Sequence, residues 1–294
     1  MILLNPQYPV YVISKGRWHE KRRLTSKALN RMGVPYHIVV EPQEYDNYAH
    51  VINPNKILVL PQKFHDDYDP CTELEIGESQ GSGPARNFCW AHSIERGYTK
   101  HWILDDNIRN FIKLNNNMKT IVSNGDVFRF MERFTEKYNN VVLSGPHYDF
   151  FAPRKLKRPP FIINRRIFSC ILIRNDLPFR WRAKYNEDVD LALRVLKAGY
   201  ATIQFYAYLQ EKVSTQKIKG GNTDSIYIGG TLAKSKMIVM LHPDVAELKF
   251  RFSRWHHYVN YSSFRNNQLI KKEGLDVSKQ RDYGIKLVDT GDRK

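Results

Sequence analysis

Short β-rich runs and helix-patterned stretches alternate along this 294-residue chain, and that alternation leaves few folds open to it. Residues 10–14 (VYVIS) and 36–41 (YHIVVE) are rich in β-branched and aromatic side chains. Between them, residues 20–32 carry apolar side chains at helical spacing up to a stop at Gly33. This is a βαβ opening. Residues 57–60 add a strand, 84–96 a helix closed by Gly97, and 101–104 (HWIL) a strand that delivers acidic residues at its end. Such alternation implies an α/β protein with a mostly parallel sheet flanked by helices. After a helix around 126–138, residues 141–173 are strand-rich, with Pro153, Pro159 and Pro160 marking an exposed loop. Asn186 is a good N-cap for a helix over 187–197 that stops at Gly199, and residues 201–206 return as a strand. A glycine-rich stretch at 219–223 (KGGNT) precedes a helix beginning near Gly229, and residues 245–261 read as a further helix. From about Lys271 the chain is polar and charged, as a loosely held tail would be.

A hydrophobic fraction of 42% over this length is enough to bury a core without disulfides or a structural metal. Cys71, Cys89 and Cys170 are scattered, so neither a disulfide framework nor a zinc knuckle is expected, which points to a reducing cytoplasm. Apolar runs such as 36–40 and 237–241 are far shorter than the ~20 residues of a membrane span, and Met1 opens no signal-peptide pattern. No membrane partner is expected. The net charge of +16 would concentrate a polyanion at the surface, whether DNA, RNA, anionic lipid or acidic polysaccharide. Arg154, Lys155, Lys157 and Arg158 lead into Arg165 and Arg166, followed by Arg180, Arg182 and Lys184, with Phe150, Phe151, Phe161 and Trp181 interleaved. An isolated basic run is ordinarily a solvated face. The whole-chain excess turns the reading toward a phosphate backbone, with Arg154, Lys155, Lys157, Arg158, Arg165 and Arg166 as DNA-binding candidates.

The chemistry concentrates at two acidic sites. In Leu104-Asp105-Asp106-Asn107 an apolar strand runs directly into two carboxylates and a carboxamide. Ligands of an open α/β sheet sit beyond the carboxyl ends of its strands, where hard oxygen donors suit Mg²⁺ or Mn²⁺ shared with a diphosphate. Such a metal acts as a Lewis acid on the charge that builds on a departing nucleoside diphosphate. Taken alone, the same turn is equally a strand cap. The second site, Glu187-Asp188, opens a helix, where carboxylates complement the dipole. In a functional reading, one of them accepts the proton of an attacking hydroxyl while the other holds the sugar or acceptor. Arg86 and Asn87 lie in the first turn of a helix whose Gly83 permits close backbone approach, a position suited to phosphate or sugar. Residues 217–224 (KIKGGNTD) read either as a surface loop or as a lid, with Lys219 touching phosphate and Gly220 and Gly221 as the hinge.

The order of these motifs resembles the A-type glycosyltransferase fold, a Rossmann-like nucleotide-binding mixed sheet flanked by helices. The resemblance rests on Tyr11-Val12-Ile13-Ser14-Lys15-Gly16-Arg17, the Asp105-Asp106-Asn107 turn and the Asn186-Glu187-Asp188 helix start. More narrowly, YVISKGR, Val39-Val40-Glu41-Pro42, Gly83-Pro84-Ala85-Arg86-Asn87 and HWILDDN are similar to phage glycosyltransferases associated with TET-type base oxidation, which decorate hydroxymethylpyrimidines in DNA. The likeness runs from about Tyr8 to Phe264. It implies one glycosyltransferase domain over 1–270, with a nucleotide-sugar half at about 1–110, an acceptor half at about 111–270 and a tail at 271–294. It also implies a donor pocket with Ser14, Lys15 and Arg17 near the base or diphosphate and Glu41 near the ribose or base, joined by Arg86, Asn87, Asp105 and Asp106. Many A-type enzymes end the acidic turn with a second aspartate where this chain has Asn107, so Asp105 is the expected metal ligand, with Asn107 assisting. A distal histidine often completes such a site. His242, His256 and His257 are the candidates, with His257 taken as the third ligand.

The expected reaction carries a sugar, glucose or a pentose such as arabinose, from a nucleoside diphosphate (a uridine one) to 5-hydroxymethylcytosine or 5-hydroxymethyluracil in phage DNA, in the host cytoplasm. For an inverting transfer Asp188 is the expected general base, with Glu187 supporting it; in a retaining transfer the same carboxylates would instead position the sugar. Two other readings make different predictions. An A-type transferase acting on a saccharide, lipid or protein is indifferent to DNA, and a non-catalytic nucleic-acid-binding module tolerates Asp105→Ala. A dinucleotide oxidoreductase is disfavoured because no G-x-G-x-x-G follows the first strand.

Overall fold

A computed structural model describes residues 5–19, 21, 23–75, 78–115, 117–152, 159–213 and 231–274. The opening alternation folds as expected into β1 (Val10–Ile13), α1 (Leu24–Arg31) and β2 (His37–Val40), followed by the short α2 (Tyr45–Ala49), β3 (Ile57–Val59) and the short α3 (Lys63–Asp66). Helix α4 (Gly83–Glu95) leads to β4 (Lys100–Asp105), and β5 (Ile108–Asn115) and β6 (Met118–Ile121) form a hairpin before α5 (Asp126–Thr135). Strands β7 (Val141–Tyr148), β8 (Phe161–Ile163) and β9 (Cys170–Arg174) precede α6 (Glu187–Lys197) and β10 (Ala201–Lys212). The described chain closes with α7 (Leu232–Leu241), β11 (Ala246–Arg251) and β12 (Arg254–Val259).

Nine strands form one mixed sheet in the order β3-β2-β1-β4-β9-β7-β10-β5-β6, and β8 pairs with the start of β10 as the tenth. Strands β1 to β4 run parallel, and antiparallel β9 separates β4 from β7, so β4, β7 and β10 all point the same way. Successive side chains on a strand face opposite sides of a sheet, and here both sides are covered. Val10 and Val12 pack with Trp102, Leu104 and Phe111 under Leu29 of α1 and Phe128 and Met131 of α5. Tyr11 and Ile13 pack the other way, with Ile103, Ile171 and Ile173, under Trp90 of α4 and Leu191 and Val195 of α6. Glu132 is buried inside the first layer, accepting from the backbone amide of Gln7 (2.9 Å) and from Trp102 Nε1 (2.9 Å), so it ties the entering chain to the sheet.

Three expectations need correcting. Residues 245–261 are not a helix but the β11–β12 hairpin. Strand β10 continues past residue 206 to Lys212, because its polar Gln210 is satisfied inside the sheet by the carbonyls of Pro146 (3.0 Å) and Phe168 (2.9 Å). Asn186 does not cap α6 with its side chain. It lies in the left-handed region at φ 54°, and its amide donates instead to the carbonyl of Lys234 (2.7 Å). Among the described residues, no helix is long and apolar enough to cross a membrane.

Candidate active site

The parallel strands bring their carboxyl ends to one edge of the sheet, and a cleft opens there, where ligands of open α/β sheets bind. The end of β1 supplies Ser14, Lys15 and Arg17, the end of β2 supplies Glu41, and the turn after β4 supplies Asp105, Asp106 and Asn107. Tyr148 ends β7, Lys212 ends β10, and Ser169 precedes the antiparallel β9 at the same edge. The starts of α4 and α6 close the rim with Ser82, Arg86, Asn186, Glu187 and Asp188.

Asp105 is the hub. Its Oδ1 accepts from Arg86 (2.8 Å) and its Oδ2 from Lys212 (2.6 Å). Burial alone would raise its carboxyl pKa, but the Lys212 ammonium and the Arg86 guanidinium outweigh that and hold it well below the usual carboxylate range. The reciprocal holds for Lys212. Burial favours the neutral amine, yet Asp105 raises its pKa, so the ammonium stays charged and donates also to Ser169 Oγ (2.6 Å). Arg86 is almost wholly buried, lies over the Trp181 ring (4.8 Å) and reaches Glu187 Oε1 (3.2 Å), so one guanidinium joins the two acidic sites. Glu187 also accepts from Ser82 Oγ (2.6 Å); burial and neighbouring Asp188 raise its pKa against the pull of Arg86. Asp188 is different. It lines the cleft but makes no ion pair among the described residues, its Oδ1 accepting only from the amide of Val189 (2.9 Å).

A second network lies at the β1 end. Asp106 turns away from Asp105 to pair with Arg17 and accept from Ser14 Oγ (2.7 Å). Its pKa is raised by burial, with Arg17 and Ser14 opposing. Ser14 also meets Tyr48 Oη (2.6 Å). Lys15 pairs with Glu41 (2.9 Å), whose other oxygen meets His65 Nε2 (3.2 Å). The amide of Gly16 donates to both oxygens of Glu44 (2.9 and 3.0 Å), which fixes the loop after β1.

Ten of the expected site residues therefore meet in one cleft: Ser14, Lys15, Arg17, Glu41, Arg86, Asp105, Asp106, Asn107, Glu187 and Asp188. Others do not. Asn87 faces the protein, donating to the Trp181 carbonyl (3.0 Å) and accepting from its amide (2.9 Å). The close approach at Gly83 serves Tyr68, whose ring and hydroxyl a Cβ there would strike, and not a ligand. His257 lies on β12 against Arg166 (3.3 Å), His242 is buried against Asp190 (2.9 Å), and His256 meets Arg254 (3.2 Å), so none of the three lines the cleft. Arg166 lies over the Phe168 ring and Arg165 over Tyr261, both away from the cleft lining. Arg154, Lys155, Lys157, Arg158, Lys219, Gly220 and Gly221 lie outside the described residues. Lys212, Tyr148, Ser169 and Glu44 were not expected; reading β10 to its true end would have found Lys212.

The expected metal set, Asp105, Asn107 and His257, is not brought together. Both Asp105 oxygens are held by cations, Asn107 donates to the Val213 carbonyl (2.9 Å), and His257 is elsewhere. Asn107 Oδ1 is buried without a hydrogen-bond partner, but a carboxamide oxygen alone is a weak ligand. Among the described residues, no three His, Cys, Asp or Glu side chains group as metal ligands would. The donors present do not fit a protein-held divalent cation. The cleft instead presents two cations fixed on Asp105, beside Asp188, which makes no ion pair among the described residues.

The family model for TET-associated glycosyltransferases matches residues 8–221. No curated protein matches the chain.

Proposed function

The chain belongs to the TET-associated glycosyltransferase family, and from that premise we propose that it transfers a sugar from a nucleoside diphosphate sugar to the hydroxyl of a 5-hydroxymethylpyrimidine in DNA. The donor is a uridine diphosphate sugar carrying glucose or arabinose. The acceptor is 5-hydroxymethylcytosine, or 5-hydroxymethyluracil, of phage DNA in an infected cell. One observation carries the reading: Asp105, at the sheet edge, holds Lys212 and Arg86 beside Asp188, which makes no ion pair among the described residues.

In this reading the loop after β1 and Glu41 take the nucleoside, and Lys212 and Arg86 face the diphosphate. The acceptor oxygen forms a bond to the anomeric carbon as that carbon's bond to the diphosphate oxygen breaks. Asp188 takes the acceptor proton, and the leaving diphosphate keeps the bonding pair next to Lys212 and Arg86. Glu187, held by Ser82 and Arg86, positions the sugar or acceptor. The charge stabilisation expected of Mn²⁺ or Mg²⁺ thus falls to side chains that are already in position and need no reorganisation.

The test is incubation of the purified protein with hydroxymethylcytosine or hydroxymethyluracil DNA and a panel of uridine and guanosine diphosphate sugars, with mass spectrometry of the digested nucleosides. The expected result is a gain of one sugar, absent on unmodified DNA and reduced about 10²- to 10⁴-fold in kcat by Asp188→Asn. Donor hydrolysis without transfer to either DNA would move the acceptor to a saccharide, lipid or protein.

A further inference from the structure

Beyond the cleft, β11 and β12 form a ribbon separate from the main sheet and outside the matched residues 8–221. Its register pairs Leu248 with His257 and Phe250 with Trp255 on one face, and Lys249 with His256 and Arg251 with Arg254 on the other. The base is anchored, since Ala246 is buried with Leu193 and Ile238. Toward the tip the side chains leave the core. Phe250 is 60% exposed, Phe252 is 87% exposed, and Phe250 and Trp255 meet edge to face at 5.3 Å. Lys249 pairs with Glu247 (2.6 Å), whereas Arg251 and Arg254 are exposed and pair with no carboxylate among the described residues.

The turn itself is strained. Phe252 and Ser253 sit at φ 52° and 58°, the left-handed region that two-residue hairpin turns ordinarily fill with Asn-Gly. A phenylalanine held there with its ring in water contributes nothing to the core, and such an outlier points to a use outside the fold. An exposed ring, meeting only the edge of the His256 ring (6.3 Å) among the described residues and flanked by two arginines on a ribbon narrow enough for a DNA groove, matches stacked bases behind a phosphate backbone. The net charge of +16 favours the same partner. The ribbon is also coupled to the cleft. Thr231 Oγ1 donates to the Trp255 carbonyl (2.8 Å), and on the adjoining α7 the Lys234 carbonyl accepts from Asn186, the residue before Glu187 and Asp188.

We propose that the β11–β12 ribbon is a DNA-binding arm, with Arg251 and Arg254 on phosphates and the Phe252 ring stacked on bases beside the hydroxymethylated nucleotide. The assignment rests on modified DNA being the acceptor. Phe252→Gly removes the ring and suits the left-handed turn, so its Tm should equal or exceed that of the wild type. Its Kd for a fluorescein-labelled hydroxymethylcytosine duplex should rise roughly tenfold, while hydrolysis of the donor without DNA stays at the wild-type rate. Arg251→Ala and Arg254→Ala should each lower the slope of log Kd against log salt by about 1. Wild-type duplex affinity and salt slope in all three variants would overturn the arm and leave the acceptor reading standing. A wild-type protein that hydrolyses the donor yet neither binds nor modifies hydroxymethylcytosine or hydroxymethyluracil duplexes would overturn that reading, and the arm with it.

Discussion

The cleft and the ribbon carry positive charge in opposite ways. In the cleft, Lys212 and Arg86 are almost buried and share the carboxylate of Asp105, so their positions are set before any ligand arrives. On the ribbon, Arg251 and Arg254 stand in water at the end of a narrow hairpin. Buried pairs act through geometry and feel little screening, whereas exposed cations act through their field and weaken with salt. One region is built to stabilise charge at a fixed point and the other to hold a polyanion along its length. Variants in the two regions should therefore separate chemistry from DNA affinity.

After Asp188→Asn, the largest effect is expected from Lys212→Met. The variant keeps the packing of the aliphatic stem and leaves Asp105 to Arg86 alone, removing one of the two cations beside the leaving group. Loss of one preorganised charge of this kind costs about 10²- to 10³-fold in kcat. The Kd for duplex DNA should stay within about twofold of wild type, because Lys212 is mostly buried in the cleft and ion-paired with Asp105. A variant with wild-type kcat would remove Lys212 from the reaction, and one that chiefly lost DNA affinity would collapse the distinction between the regions.

Two buried histidines, one in the main sheet and one in the ribbon, also couple folding to pH. His101, on β4, is fully buried, and burial pushes its pKa down to about 4. His257, at the base of the ribbon, is pushed down to about 4 by burial and by neighbouring Arg166 and Lys234. Both groups bind protons more weakly folded than unfolded, so between about pH 6.5 and pH 4 the unfolded chain holds more protons and stability falls as pH falls. His101 alone should account for on the order of 3 kcal/mol between pH 7 and pH 4. Denaturant melts across that range check this, and a flat stability profile would show that His101 is charged within the sheet.

How much of this was legible in the sequence depended on whether a local pattern had a competing explanation. Runs such as VYVI and HWIL are buried on both faces, so their apolar continuity announced them as strands, and β4 carried Asp105 to the sheet edge with it. The division of labour between Asp105 and Asp106 was hidden, because adjacent side chains diverge and only the fold decides that one meets Lys212 and the other Arg17. Lys212 was missed because Gln210 and Glu211 look like the polar end of a strand, although Gln210 is buried and hydrogen-bonded. The ribbon was misread because Val245, Leu248, Phe252, Trp255 and Val259 recur at spacings of three and four, imitating a helix. Only the pairing of Phe250 with Trp255 and Arg251 with Arg254 reveals the turn between them.

The smallest expected effect concerns the metal that the acidic turn suggested. Any divalent cation must compete for Asp105 with two cations that are covalently part of the chain, at 2.8 and 2.6 Å. Asp106 is committed to Arg17 and Ser14, and Asn107 brings no charge to the contest. Charge stabilisation in the cleft should therefore survive chelation. Excess EDTA is expected to change the transfer rate by less than about twofold, and added Mn²⁺ to raise it by no more, since the Lewis-acid role is already filled. Loss of activity in EDTA with full recovery on Mn²⁺ would mean that the donor diphosphate itself brings the ion and displaces Lys212 from Asp105. In that case Lys212→Met should be nearly as active as the wild type when Mn²⁺ is present, so the two measurements together decide which cation stands beside the leaving group.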